Sequence, residues 1–387
     1  MNKLKIAFLT PEFPHPKIGS SGGIGTSILN LSKGLLINNC EVYVLVYGQE
    51  KDDYFFENGI HFYQIKNIKI KGFSRWLTQK KIQKLINKLF LEKKIDVVEA
   101  PDWTGFSSGI KPKCPLVVKL HGSDTYFCYL DNRPVRPKNK KNEKSALQNA
   151  DGLLSVSEYT ARITKELFGL NRDFTVIPNS VDLDYFSDEE KISQNNNTIL
   201  YFGTLIRKKG LLELPLIFNE IYKLNSEAKL LLIGRDASDV ISGNSSTWSM
   251  MQTLFDKDAL KNVSYMGAIP YQEMKSQIVK ASVCVFPTFA EALPVSWIEA
   301  MAMQKAIVAS DIGWANEIID NGIDGYLEHP KNHYEFAIKV ANLLEDKEKN
   351  RLFGTEARKK VINKFSLDVI AKQNLEFYKK MIDKNCL

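Results

Sequence analysis

The chain has 387 residues, of which 44% are apolar and 25% charged, and its net charge is +7. That is an ordinary globular mix with material for two or three domains, and no stretch reaches the roughly 18 uninterrupted apolar residues of a membrane span. The cysteines at 40, 114, 128, 284 and 386 are scattered and not spaced as metal or redox pairs, which points to a reducing cytoplasm.

Short β-branched runs alternate with helical patterns along the chain, as parallel βαβ units require. Strands are expected near 3–10, 41–47, 60–65, 96–100, 115–121, 152–157 and 174–178. A second set falls near 198–203, 229–234, 263–267, 282–287 and 306–310. Runs such as Leu230–Ile233 and Ser282–Phe286 are apolar on successive residues, which suits strands covered by helices on both faces. The polar, Asn-rich stretch Asp188–Asn197 reads as a linker, with the domain boundary near 180–197. The apolar positions Leu367, Ile370, Leu375, Tyr378 and Met381 suit a terminal amphipathic helix.

Charge is unevenly placed. Residues 66–94 hold ten Lys/Arg against one Glu, and residues 133–144 hold six against one. Within the first patch, Ile82, Leu85, Ile86 and Leu89 share one helical face. Two readings stand: a domain helix with a solvated basic side, or a helix that docks on anionic membrane.

Several constellations could carry chemistry. After the first strand comes Ser20-Ser-Gly-Gly-Ile-Gly25, then a helical pattern. Glycines let backbone approach a ligand, and a helix start offers N–H groups to an anion; a plain tight turn is the alternative. A dinucleotide fingerprint fails because its third glycine is missing. His121 and Gly122 end a strand, where ligands of open parallel sheets bind, though a satisfied loop histidine has the same appearance. Arg207, Lys208 and Lys209 precede Gly210 and a helix, as a diphosphate site or as a solvated basic turn. Glu291 and Glu299 stand eight apart. Pro294 is expected in the first helical turn, with Glu291 before the helix and Glu299 inside it. A carboxylate in so apolar a helix needs a partner, either a ligand's hydroxyls or a nearby Lys or Arg. Asp182-Leu-Asp184 has metal-motif spacing but no further hard ligands nearby, so it reads as structural and no metal is expected.

In this order, the segments resemble the retaining glycosyltransferases of family 4. The pattern Glu291, seven residues, Glu299, Ala300-Met-Ala, then Glu317-Ile-Ile-Asp-Asn-Gly-Ile-Asp-Gly325 carries the resemblance. It implies the GT-B fold, an α/β architecture of two Rossmann-like parallel-sheet domains facing each other across a cleft. The expected domains are 1–187, binding acceptor, and 188–366, binding donor, with a final helix at 367–387 returning to the first. The resemblance implies that Gly23 approaches the donor diphosphate, His121 touches the transferred sugar, and Lys209 with Arg207 binds the diphosphate. It further implies that Glu291 holds sugar hydroxyls, Glu299 the ribose, and the N–H groups of Leu293 and Val295 the phosphates. Thr204 stands in the phosphate-binding turn where the family often has Arg, and Gln304 where Gly is usual. His121, Lys209 and Glu291 are the expected catalytic residues.

The implied activity is hexosyl transfer, with retention and without a metal or separate cofactor, from a UDP- or GDP-linked sugar. The acceptor would be a glycan or lipid-linked molecule in cell-surface polysaccharide or glycolipid synthesis. Acceptor contacts are expected near Asp102-Trp103 and Tyr126–Arg136. The setting would be cytoplasmic, at the inner face of the membrane, with no nucleic-acid partner. A sugar-nucleotide epimerase or hydrolase on the same fold, or a silent sugar-nucleotide binder, are the rivals.

Overall fold

The computed structural model describes residues 3–19, 21–187 and 197–385. Residues 188–196 of the expected linker, together with Ser20 and Cys386, lie outside the described residues. The chain divides into two compact units, Met1–Ser180 with Phe365–Leu387, and Val181–Lys364.

The first unit contains β1 (Lys5–Thr10), β2 (Glu41–Gln49), β3 (Asp53–Glu57), β4 (Ile60–Lys66), β5 (Val97–Pro101), β6 (Leu116–Leu120), β7 (Gly152–Ser155) and β8 (Thr175–Val176). Their order in the sheet is β3-β4-β2-β1-β5-β6-β7-β8. All pairings are parallel except β3 with β4. β1 pairs on both sides, Ile6 with Val42 and with Val97, so the winding direction reverses there. Helices on both faces explain why β5 and β6 are buried along their whole length.

The helix Leu367–Asn385 completes this unit. Ile370, Tyr378 and Met381 join the core built from β1, β2 and the helix Gly23–Ile37. Burying side chains of this size is worth about 1.5–3 kcal/mol each. The Tyr378 hydroxyl donates to Glu99 at 2.6 Å inside that core. Glu99 and the equally buried Lys119 stand on adjacent strands. Burial pushes each toward its neutral form, and their mutual attraction opposes the push.

The second unit contains β9 (Thr198–Phe202), β10 (Lys229–Ile233), β11 (Val263–Tyr265), β12 (Val283–Phe286), β13 (Ala306–Ser310) and β14 (Tyr326–Glu328). Their order is β11-β10-β9-β12-β13-β14, parallel throughout. Here β9 lies between β10 and β12, and the reversal falls at its carboxyl end. Open α/β sheets bind ligands at such reversals.

One open reading is decided, for the domain helix, and one expectation is corrected. The face formed by Ile82, Ile86 and Leu89 is buried in the first unit's core, with Leu85 partly buried against it, so that face is not free to meet a membrane. Pro294 caps the helix Val295–Ala302 with ψ 117°, one residue before its first turn. Its fixed φ suits that extended cap position equally well.

Among the described residues no helix is long and apolar enough to cross a membrane. Cys40, Cys114, Cys128 and Cys284 are buried free thiols.

Candidate active site

The carboxyl ends of β9 and β12 carry two loops that backbone hydrogen bonds lace together. The amides of Phe289 and Ala290 both donate to the Lys208 carbonyl, at 2.9 and 3.1 Å. Gly210, with φ +73°, ends the 3-10 turn Arg207–Lys209, and a Cβ there would lie 1.7 Å from the Pro287 carbonyl oxygen. Only glycine allows that approach.

The lacing sets Lys209 against Glu291, Nζ to Oε1 at 2.9 Å, with side chains 22% and 18% exposed. Burial pushes the Glu291 carboxyl up, but the charges of Lys209 and Lys208 outweigh it and hold the group below its ordinary value. Glu291 is therefore a carboxylate at neutral pH. Eight residues on, Glu299 lies within the helix Val295–Ala302 and is 6% exposed. Burial raises its carboxyl to about 7, against the opposing pull of a Tyr271 hydrogen bond and the Lys209 charge. The Tyr271 hydroxyl donates to its Oε1 at 2.6 Å. The partner that the apolar helix demanded is thus a tyrosine rather than a Lys or Arg.

Arg207 is engaged differently from Lys209. Its Nε and Nη2 donate to the two oxygens of Asp239 at 2.8 and 2.7 Å. The guanidinium beside Asp239 holds that carboxyl far below the usual range. One edge of the Arg207 fork is therefore already occupied. Thr204 lies in the turn after β9, where its carbonyl accepts the Tyr201 hydroxyl at 3.1 Å. Leu293 is buried ahead of the helix that opens at Val295. A helix start presents N–H groups that its own turns cannot satisfy. Gln304 takes φ +55° just past that helix, the left-handed position for which glycine is suited.

In the first unit, Gly23 opens the helix Gly23–Ile37 after β1, and nothing lies within 4 Å of where its Cβ would be. The adjoining amides of Gly22 and Gly25 both donate to Glu12 Oε1 at 3.0 Å. A carboxylate of the chain itself thus caps this helix start. His121 follows β6, and its amide donates to Asp102 Oδ1 at 2.9 Å. Burial and the nearby Lys119 charge pull its imidazole down to about 3, so the ring is neutral at physiological pH. Asp102, 1% exposed at the end of β5, is raised to about 7 by burial, and its Oδ2 has no partner among the described residues. Within the expected acceptor segments, Trp103 and Tyr129 are exposed, whereas Tyr126 is fully buried and belongs to the core.

Asp182 accepts the Tyr185 amide at 3.1 Å, as a turn residue does. Among the described residues no three His, Cys, Asp or Glu side chains cluster as a metal site would.

The structure therefore brings Lys209, Glu291 and Glu299 together at the reversal of the second sheet. It places Gly23 and His121 at strand ends of the first. Tyr271, Asp239 and Glu12 escaped the sequence reading. The contacts that matter here, Tyr271 with Glu299, Asp239 with Arg207 and Glu12 with the Gly22 and Gly25 amides, span 28, 32 and 10 to 13 residues, beyond any local periodicity.

Two doubly wound parallel-sheet units with this loop chemistry define the GT-B class of glycosyltransferases. The fold closely matches solved members, among them Anabaena HepE in complex with UDP-glucose, with a TM-score of 0.75 at 17% identity over 97% of this chain and all of that one. The chain belongs to the group 1, family 4 glycosyltransferases: residues 184–360 match Glycosyl transferases group 1 and residues 21–185 match Glycosyltransferase Family 4. An uncharacterized glycosyltransferase of Methanocaldococcus jannaschii is 27% identical over 97% of this chain and 98% of its own length. The alpha-monoglucosyldiacylglycerol synthase of Acholeplasma laidlawii is 25% identical over 94% of each chain.

Proposed function

We propose that this glycosyltransferase moves a hexose-type sugar from a UDP- or GDP-linked donor to a glycan or lipid-linked acceptor, with retention of configuration and without a metal. The observation that carries this reading is the Lys209–Glu291 pair at the sheet reversal of the second unit. It puts a cation for a leaving phosphate beside an ionised acceptor for sugar hydroxyls.

In the reaction, the bond from the anomeric carbon to the diphosphate oxygen breaks as the acceptor oxygen bonds to that carbon on the same face. The acceptor's proton passes to the departing phosphate oxygen, and a nucleoside diphosphate leaves. Lys209 stabilises the charge that grows on that oxygen, and fixed cations of this kind act without reorganising. The N–H groups at Leu293 and Val295 add to it, and Arg207 contributes its unoccupied edge. Glu291 orients the sugar, and Glu299 accepts from the ribose. From the first unit, His121 is assigned to the transferred sugar as a neutral hydrogen-bonding ring, and Gly23 to the diphosphate.

The named glucolipid synthase among the relatives and the UDP-glucose complex among the structural neighbours favour this donor and acceptor chemistry. Attachment to anionic membrane is assigned to Ile70, Phe73 and Trp76, which are 51%, 61% and 54% exposed within the lysine-rich segment before and inside the helix Ser74–Leu91. Aromatic side chains beside lysines suit a headgroup boundary.

A thermal-shift panel of nucleoside diphosphates and their sugars tests the donor. A ligand at a hundredfold its Kd stabilises by about 2.7 kcal/mol. A flat response to every UDP and GDP species would reject the reading. Donor consumed equally fast without any acceptor would favour a hydrolase or epimerase.

A further inference from the structure

Glu299 has one oxygen committed and one available. Its Oε1 accepts the Tyr271 hydroxyl, and its Oε2 has no partner among the described residues. Tyr271 opens the helix Tyr271–Lys280 directly after Pro270. Its ring stacks on Tyr185 with centroids 5.5 Å apart and planes 11° apart, and Phe186 meets its face edge-on at 6.0 Å. The Tyr185 hydroxyl donates to the Tyr271 carbonyl at 2.9 Å. Ring and backbone of Tyr271 are both fixed before its hydroxyl reaches Glu299.

We propose that Tyr271 is a positioning residue of the nucleotide site: its hydroxyl holds one oxygen of Glu299 so that the other is presented to the vicinal hydroxyls of a ribose. This rests on the reading that Glu299 meets the ribose. The chemistry is directional. Burial and the neighbouring Glu299 drive the Tyr271 hydroxyl far above its ordinary range, so it is always a donor and never competes as an anion. A ribose diol is also a donor, and an oxygen not already committed to a bond accepts it without first giving one up.

The arrangement also controls ionisation. The titratable and charged groups facing Glu299 are Tyr271, Lys209 and Tyr185. Tyr271 and Lys209 both favour the carboxylate against its burial, and the balance lies at about 7. An ionised oxygen accepts more strongly than a carboxylic acid. Affinity for a ribonucleotide therefore rises as pH climbs through neutrality. Loss of the Tyr271 hydrogen bond displaces that rise to higher pH.

The test is titration calorimetry with UDP and GDP and their 2′,3′-dideoxy counterparts, on the intact protein and on Tyr271→Phe, between pH 6 and 8.5. The dideoxy forms carry the same diphosphate, so its own titration cancels in the ratio. The intact protein should prefer the ribose form of its nucleotide by about tenfold or more at pH 8.5, as loss of one charged hydrogen bond implies. In Tyr271→Phe that preference should fall severalfold, with its pH midpoint moved upward. Tyr185→Phe, which removes only the bond to the Tyr271 carbonyl, should shift the same ratio in the same direction and serves if Tyr271→Phe does not fold. An unchanged ratio and midpoint in a folded variant would overturn the role of Tyr271 while leaving Glu299 on the ribose. Equal binding of ribose and dideoxy forms by the intact protein would overturn the Glu299 reading and this inference with it.

Discussion

Replacing Lys209 by Met should separate what the Lys209–Glu291 pair does for the fold from what it does for the reaction. At 2.9 Å the two charges attract by about 6 kcal/mol at an effective dielectric of roughly 20, before desolvation is subtracted. Taking away one partner of a buried pair costs about 3–5 kcal/mol, because the survivor is left charged in a poor solvent. About a fifth of each side chain is exposed and Lys208 remains nearby, which brings the expectation to about 2–3 kcal/mol. The loss should appear in urea unfolding followed by the fluorescence of Trp248, Trp297 and Trp314. Glu291 sits below its ordinary value in the fold, so its contribution is present above the unfolded value and is lost as pH falls through the folded one. The gap between the intact protein and Lys209→Met should therefore close in acid. Adding Glu291→Gln should restore stability to within about 1 kcal/mol, since a neutral pair carries no stranded charge. Turnover should not return, staying about a hundredfold or more below the intact enzyme. A Lys209→Met loss under about 0.5 kcal/mol, or a double variant with normal turnover, would refute the reasoning.

Gly210→Ala should destabilise by about 3 kcal/mol or more and abolish transfer, because its Cβ would collide with the Pro287 carbonyl and its φ is +73°; a melting point within a degree of normal would contradict this. Glu12→Ala should lose about 1–2 kcal/mol by stripping the acceptor from the Gly22 and Gly25 amides, whereas Glu12→Gln should lose less. Equal melting points for all three proteins would show that the cap is inert. Asp102 is raised to about 7 in the fold, so its neutral form is favoured and the associated stability is lost as pH rises from its ordinary value through 7. Asp102→Asn keeps an acceptor for the His121 amide and should gain on the intact protein across that window, by up to about 4 kcal/mol at pH 8. A difference independent of pH would remove the buried-acid account.

The alternation of strands and helices was readable because a parallel sheet covered on both faces needs apolar residues at successive positions, as at Leu230–Ile233 and Ser282–Phe286. β3 was missed, although its signal was present. Asn58 and Gly59 take φ +51° and +79° in the turn that pairs Tyr54 with Tyr63, and Asn-Gly is the favoured hairpin pair. The polar and aromatic Asp53–Glu57 concealed an edge strand with one exposed face. At the site, Lys209, Glu291 and Glu299 stood out because charges beside apolar runs demand explanation. Tyr271 did not, because a tyrosine after a proline at a helix start raises no such demand. Asp239 looked like one more loop acid, and only the fold brings it to Arg207. The fate of the Ile82–Leu89 face was undecidable from periodicity, since a core-facing helix and a membrane-facing one share the same stripe.

The last helix has a consequence for how the chain is made. Residues 181–364 form one unit, whereas the other unit combines residues up to 180 with residues from 365 onward. As the chain emerges amino end first, the early sheet must wait through the synthesis of the whole second unit before Tyr378 reaches Glu99. Until then the apolar groove that takes Ile370 and Met381 stands open to solvent, a natural landing place for a chaperone. A released chain that stops after residue 364 should hold a second unit that resists protease and a first unit that does not.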